Sequence, residues 1–409
     1  MKILLVADGR SPITNGWIQL LKEAGCDISL VSTFPCTPID GLDEMRIIPT
    51  AFSSMAGSQA GDRASKKTSR LRRFVSQFRD VFLTGRYYLG PLSLGSSRQI
   101  FLDHLRRIKP DIVHALRIPY EGMVARVTPV GIPLAISIWG NDLTLHAHGS
   151  PLMSRETRLT LQRADGLMAD AHRDLDLAAR WGLHSATPLL FVPGGGGIDL
   201  TAINRAVDKQ EHLPVEIPEN VPVVINPRGF RPGSVRNDTF FKAIPAVLQE
   251  KPDTVFICAG MAGQPEALKW MADLEIESSV KLLPFLPQED LWRLFKRSQV
   301  TVSVSQHDGT PNSLLEAMSI GCYPVVGDIA STREWITDGE NGSLVSPDNP
   351  SDVSHAILKV LNDPALKEKA AVKNIEIIRK QAVRQNIAHG VKSFYETLLK
   401  HDSDSEQRM

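Results

Sequence analysis

Two carboxylates, Asp308 and Glu316, stand eight residues apart in the stretch SVSQHDGTPNSLLEAMSIGCYPVVGD. Between them lie Gly309, Thr310, Pro311 and Asn312, then Ser313 and Leu314 at the start of an apolar helical pattern. The run VTVSV comes just before, so QHDGTPN reads as a loop from a strand to a helix. Thr310 or Asn312 can cap that helix, and Pro311 suits its first turn. The free N–H groups and dipole of a helix start make an anion site, with phosphate the natural guest. Gly309 allows close approach to the backbone. An acid beside a phosphate repels it, whereas an ionised carboxylate accepts from hydroxyl groups. A ligand with phosphates in its middle and hydroxyls at both ends, the layout of a nucleotide-sugar, suits both acids. The plainer alternative is a solvated loop acid followed by a glutamate on a helix surface.

A second loop, NPRGFRPGSVRND after the run PVVIN, carries Arg228, Arg231 and Arg236. Fixed cations of this kind stabilise negative charge that grows on a departing phosphate; the alternative is arginines on a solvated loop. With cations supplied by the protein and no DxD-type cluster between apolar strands, no metal and no other cofactor is expected. His146 and His148 are a tempting ligand pair but lack a third partner. After the run PLAISI come Trp139, Gly140, Asn141 and Asp142, and Trp139 can offer a stacking platform to a sugar or sit in a core. Gly16 reads as part of the loop after the first strand, where it would admit a phosphate or acceptor. That loop has no GxGxxG, which argues against a dinucleotide-dependent oxidoreductase.

The elements that position these residues alternate. Short aliphatic runs (KILLVA, DISLVS, PDIVHA, PLAISI, and later PVVIN, TVFICA, VKLLP, VTVSV, YPVV) are separated by helical patterns, as in parallel α/β sheets. A chain of 409 residues exceeds one ordinary core. The fold class is therefore α/β, with two doubly wound Rossmann-like domains facing a cleft. The expected boundaries are 1–204, a polar linker at 205–220, 221–385, and a disordered tail at 401–409. Zero net charge gives no global argument for nucleic acid. Four cysteines without metal-like spacing, no secretory leader and no apolar run of roughly 18 residues make the cytoplasm the expected compartment. Between Arg63 and Arg79 seven basic residues occur without an acid, interleaved with Leu71, Phe74, Val75 and Phe78. Residues 63–82 are thus a candidate for peripheral contact with the inner face of a membrane, or an ordinary amphipathic helix.

The segment from Val300 to Pro347 resembles the signature of retaining glycosyltransferase family 4 (glycosyl transferases group 1), of GT-B architecture. It carries Asp308, Glu316-Ala317-Met318, Gly321 and Pro324-Val325-Val326, then Glu334 and the turn Asn341-Gly342. PDIVHA, GGGGIDL and PRGF extend the likeness over most of the chain, most weakly between residues 40 and 100. The resemblance implies a helix at 386–400 returning to the first domain. It implies transfer of a sugar from a nucleoside-diphosphate-sugar to a hydroxyl of a saccharide or lipid-linked acceptor, by front-face attack and without metal. Glu316 would bind donor ribose hydroxyls, Asp308 the transferred sugar, backbone N–H groups of Gly309 to Leu314 the sugar and diphosphate, and backbone near Phe285 and Leu286 the base. Arg228 matches the family's arginine. Arg236, with Arg231 behind it, would replace a lysine that is absent. Trp139 stands where members often have histidine, and Asp142 matches the aspartate that follows. Asp308 is one methylene shorter than the family's usual glutamate. Rival readings are another chemistry on this architecture, epimerisation or phosphorolysis, and a non-catalytic nucleotide-sugar binder.

Overall fold

The computed structural model describes residues 1–50, 53, 85–209, 212–231 and 233–406. The basic stretch at 63–82 therefore lies outside the described residues. The chain divides into two compact units, one of residues 1–196 with 386–409, the other of residues 197–385.

The first unit is built on a seven-stranded parallel sheet. Its strands are β1 (Lys2–Ala7), β2 (Asp27–Ser32), β3 (Glu44–Ile47), β4 (Ile112–Ala115), β5 (Leu134–Ile138), β6 (Gly166–Ala169) and β7 (Leu189–Phe191). Their order is 3-2-1-4-5-6-7. Parallel strands covered on both faces need apolar residues at every position, which is why these runs do not alternate. In β1, Leu4 and Val6 enter one core with Phe101, Met123 and Leu161, while Ile3, Leu5 and Ala7 enter a second core with Trp17 and Tyr395. That second core is closed by the last helix, Arg384–Glu406, through Val391, Phe394, Tyr395 and Leu398. Gly166 makes room for it, since a Cβ there would lie 2.8 Å from both Phe394 and Leu398.

The second unit has six parallel strands: β8 (Val223–Asn226), β9 (Val255–Cys258), β10 (Val280–Leu282), β11 (Val300–Ser303), β12 (Tyr323–Gly327) and β13 (Ser343–Val345). Their order is 10-9-8-11-12-13. Each sheet thus reverses its winding once, between β1 and β4 in the first and between β8 and β11 in the second. Ligands of doubly wound sheets bind outside the strand carboxyl ends at such a switch point.

Three local readings differ from the structure. Gly16 is not in a loop: Ser11 caps a helix at Pro12–Glu23, and Gly16 sits in its second turn, where a Cβ would meet only the Gly195 carbonyl at 3.9 Å. Part of the supposed linker is helical, because Asp199 caps Leu200–Asp208 and that helix buries Ile203 and Ala206, so the chain enters its second unit at 197. The terminal helix continues to Glu406, through residues read as a disordered tail.

Candidate functional site

Arg228 follows β8 and Asp308 follows β11, the two strands that flank the switch point of the second unit. The strand register Val300↔Val224 and Thr301↔Ile225 brings their carboxyl ends side by side, and the two side chains form an ion pair. Each is held from behind. The Arg228 N–H donates to Asn226 Oδ1 at 3.1 Å, Asn226 Nδ2 donates to Asn237 Oδ1 at 3.0 Å, and Asn237 Nδ2 donates to the Gly229 carbonyl at 2.7 Å. Gly229 has φ +60°, a conformation that suits glycine. Asp308 also accepts from Ser305 Oγ at 3.1 Å and from the Gly309 N–H at 3.2 Å, and its carbonyl accepts from Ser331 Oγ at 2.8 Å. Arg228 is buried, and its Nε has no hydrogen-bond partner.

The helix after this loop is Asn312–Ile320, with Pro311 as its N-cap and no side-chain cap. Neither Thr310 nor Asn312 caps it: Thr310 Oγ1 instead accepts from the Trp335 indole at 2.9 Å, and Asn312 is already the first helical residue. The Leu314 and Leu315 N–H groups turn back to the Pro311 carbonyl at 3.0 and 3.3 Å. The N–H groups of Asn312 and Ser313 are left without an intrahelical partner, and Ser313 Oγ is buried and unpaired. No acid lies in the first turn. The helix start is therefore equipped to receive an anion.

Glu316 lies one turn further, 5% exposed, accepting from Gln288 Nε2 at 2.5 Å. Burial pushes its carboxyl up to about 7, against the lowering influence of Gln288 and the Trp292 indole. The two acids of the motif thus differ in kind: Asp308 meets a cation, Glu316 only neutral groups. Phe285 is 74% exposed, its ring lying over Gly260, while Leu286 is half-buried. Arg236 is committed elsewhere. It precedes the helix Asn237–Glu250 and donates Nε and Nη2 to Asp238 at 2.8 and 2.9 Å, and it also pairs with Asp348. Arg231 is exposed. Of the three loop arginines, Arg228 is the one paired with Asp308.

The remaining predicted residues belong to the first unit. Trp139 directly follows β5 and is half-buried. Asp142 is fully buried and accepts from Arg117 Nη2 at 2.7 Å, the Ile118 N–H at 3.0 Å and the Trp139 N–H at 3.4 Å. It holds the loops after β4 and β5 together, which leaves little of it for a sugar. The Gly140 carbonyl accepts from Thr144 and Arg173, and the Asn141 carbonyl from the Leu145 and His146 N–H groups. His146 Nδ1 bonds Tyr87 Oη at 2.7 Å, and His148 lies edge-on to Trp181. Among the described residues no group of three His, Cys, Asp or Glu is placed to hold a metal.

The profile of the glycosyl transferases group 1 matches residues 209–377, a span that contains Arg228, Asp308 and Glu316. Over this span the second unit is similar to the glycosyl transferases group 1. The GT-B fold extends over the whole chain. A sucrose-phosphate synthase from Thermosynechococcus elongatus superposes with a TM-score of 0.70 at 15% identity, covering 98% of this chain and 100% of that one. Anabaena HepE, in complex with UDP, gives 0.67 at 15% identity over 97% and 100%. The poly(glycerol-phosphate) alpha-glucosyltransferase of Bacillus subtilis is 28% identical over 130 residues, 31% of this chain and 19% of its own length. Other curated relatives are spanned over 26% to 66% of their lengths.

Residues that sequence reading missed are the supports: Gln288, Asn226, Asn237, Ser331 and Arg117. Gln288 precedes the motif on a separate segment, and Ser331, although inside the Val300–Pro347 stretch, meets the Asp308 carbonyl only through the fold, so spacing carries no trace of either contact. Asn226 and Asn237 bracket the arginine loop, and a polar residue closing an apolar strand was a usable signal.

Proposed function

We propose that the chain is a retaining glycosyltransferase that moves a sugar from a nucleoside-diphosphate-sugar to a hydroxyl acceptor, in the synthesis of a cell-surface polysaccharide or glycolipid. The observation that carries this reading is the placement of a buried arginine, Arg228, beside an uncapped helix start at the switch point of the second unit. The diphosphate would take the N–H groups of Asn312 and Ser313 and the free Ser313 Oγ. Arg228 can remain on Asp308 while its unpartnered Nε faces the leaving phosphate, and charge growing there would be met by a cation already in place. Glu316 would accept from ribose hydroxyls, which favour its ionised form, and the exposed Phe285 ring would lie under the base. Attack would come from the face of the departing phosphate, which would take the acceptor proton.

The likeness to a structure that holds UDP supports a nucleotide as ligand. The test is to incubate the chain with UDP-, GDP- and dTDP-sugars and an acceptor panel, with and without EDTA. Nucleotide release, and the anomeric configuration of the product by NMR, are then followed. Release with retention, undiminished by EDTA, is expected. Thermal stabilisation by a sugar nucleotide without release under any acceptor would replace this reading with that of a non-catalytic binder, and inversion would refute the stereochemistry.

A further inference from the structure

The first unit carries a cavity of about 170 Å³ at the carboxyl ends of β1, β4 and β5, lined by Asp8, Arg86, Arg117, Tyr120, Glu121 and Trp139 among others. In volume it is roughly ten times what a single water needs. Its charged groups are not alike. Asp8 is neutralised by Arg10, at 2.9 Å, and Arg117 by the buried Asp142. Among the described residues no carboxylate forms an ion pair with Arg86: its guanidinium carbon lies 4.5 Å from the centre of the Tyr120 ring, within reach of the Tyr120 hydroxyl, and 5.4 Å from the centre of Phe34, and its Nε is buried and unpartnered. Arg117 Nε is likewise unpartnered. Glu121 is 3% exposed, accepts from Thr33 Oγ1 at 2.9 Å, and is pushed by burial up to about 7, so it only partly offsets the positive charge.

The backbone is bent to hold Arg86 there. Tyr120 has φ +69° and ψ −49°, a positive-φ conformation that is strained for a residue with a bulky side chain. The ring is thereby placed against Arg86, and its hydroxyl donates to the Arg86 carbonyl at 2.9 Å. Gly90 leaves room for it, since a Cβ there would fall 2.8 Å from the ring. A strained residue that holds an arginine with an unpartnered buried N–H at a cavity suits a pre-organised anion site.

We propose that this cavity is an anion subsite, in which Arg86 takes a phosphate or carboxylate carried by the acceptor while Glu121 bonds one of its hydroxyls. Calling the ligand an acceptor rests on the glycosyltransferase reading above; anion binding by Arg86 does not. The test is equilibrium binding to the full-length chain, without any sugar nucleotide, by calorimetry. The probes are glycerol 1-phosphate and glucuronate against neutral glycerol and glucose, and vesicles bearing phosphatidylglycerol as the lipid-borne form.

Wild type should bind the anionic member of a pair roughly tenfold to a hundredfold more tightly, as charge-assisted hydrogen bonds imply. Inorganic phosphate should compete. In Arg86→Met the preference should collapse towards one, and Arg86→Lys should restore part of it. Binding of the soluble probes or of the vesicles supports the subsite and tells which source bears the anion. No anionic preference in wild type, or the same preference in a folded Arg86→Met, overturns it. Should Arg86→Met fail to fold, an Arg86→Lys variant with full preference, or wild-type binding that phosphate does not displace, overturns it as well. Because no donor is present, these results are separate from the nucleotide-release test.

Discussion

Replacing Glu316 by glutamine tests the link between the site's construction and its chemistry. Burial raises the Glu316 carboxyl from 4.5 to about 7. At about 1.36 kcal/mol per pH unit, that gap corresponds to roughly 3 kcal/mol. The group is an acid whose folded pKa lies above its unfolded one. The unfolded chain therefore loses its proton first, and stability falls as pH rises from 4.5 to about 7, after which the deficit is complete. Glutamine cannot ionise, yet its amide oxygen can still accept from Gln288. Glu316→Gln should match wild type near pH 4.5 and exceed it at pH 8 by up to about 3 kcal/mol, or roughly 6–12 °C for a unit of this size. Differential scanning calorimetry of the second unit's transition between pH 4.5 and 8.5 reads this directly. The same variant should bind UDP more weakly at pH 8, since ribose hydroxyls would lose an ionised acceptor. A stability difference that is flat with pH, or a wild type more stable at pH 8, would refute the reasoning.

Arg228→Ala should lower turnover about 10²–10³-fold with a smaller change in KM, the range for losing one pre-organised charge-stabilising donor; a pure KM effect measured by initial rates would contradict its role. Arg236→Ala should leave turnover within a few-fold of wild type and cost less than about 1 kcal/mol in urea unfolding, because its partners Asp238 and Asp348 lie at a partly exposed site. Tyr395→Phe should destabilise the first unit by about 1–3 kcal/mol. Tyr395 Oη bonds His114 Nδ1 at 2.7 Å, and His114, fully buried and held neutral by burial that lowers its pKa to about 3, would be left with that nitrogen unpaired.

Much of the fold was legible because parallel strands buried on both faces are written as unbroken aliphatic runs, such as KILLVA in β1 and YPVV in β12. The edge strand β3 (EMRI) was not read, since it is only partly covered and carries two charges. Asp308 and Glu316 could be found because strand, loop and helix are contiguous there. Their different characters could not, because those depend on Arg228, eighty residues away, and on Gln288. Gly16 was misplaced for a local reason: Pro12 looks like a loop residue but serves as the first residue of a helix capped by Ser11. The cavity around Arg86 was invisible because Asp8, Arg86, Glu121 and Trp139 come from four separate segments, and no motif announces a tyrosine with positive φ.

The first unit is discontinuous in the chain: residues 1–196 wait for 386–409, with the whole second unit between them. On the ribosome this imposes an order. The second unit is uninterrupted and can fold as it emerges, whereas part of one face of the first sheet stays bare until the final helix is released. During that interval Ile112, His114 and Met168 lack the cover of Val391, Tyr395 and Leu398. A premature stop near residue 385 would therefore leave the matched domain intact while exposing an apolar sheet face. Such a truncated chain should be found with chaperones or in aggregates, although every residue of its candidate donor site is present.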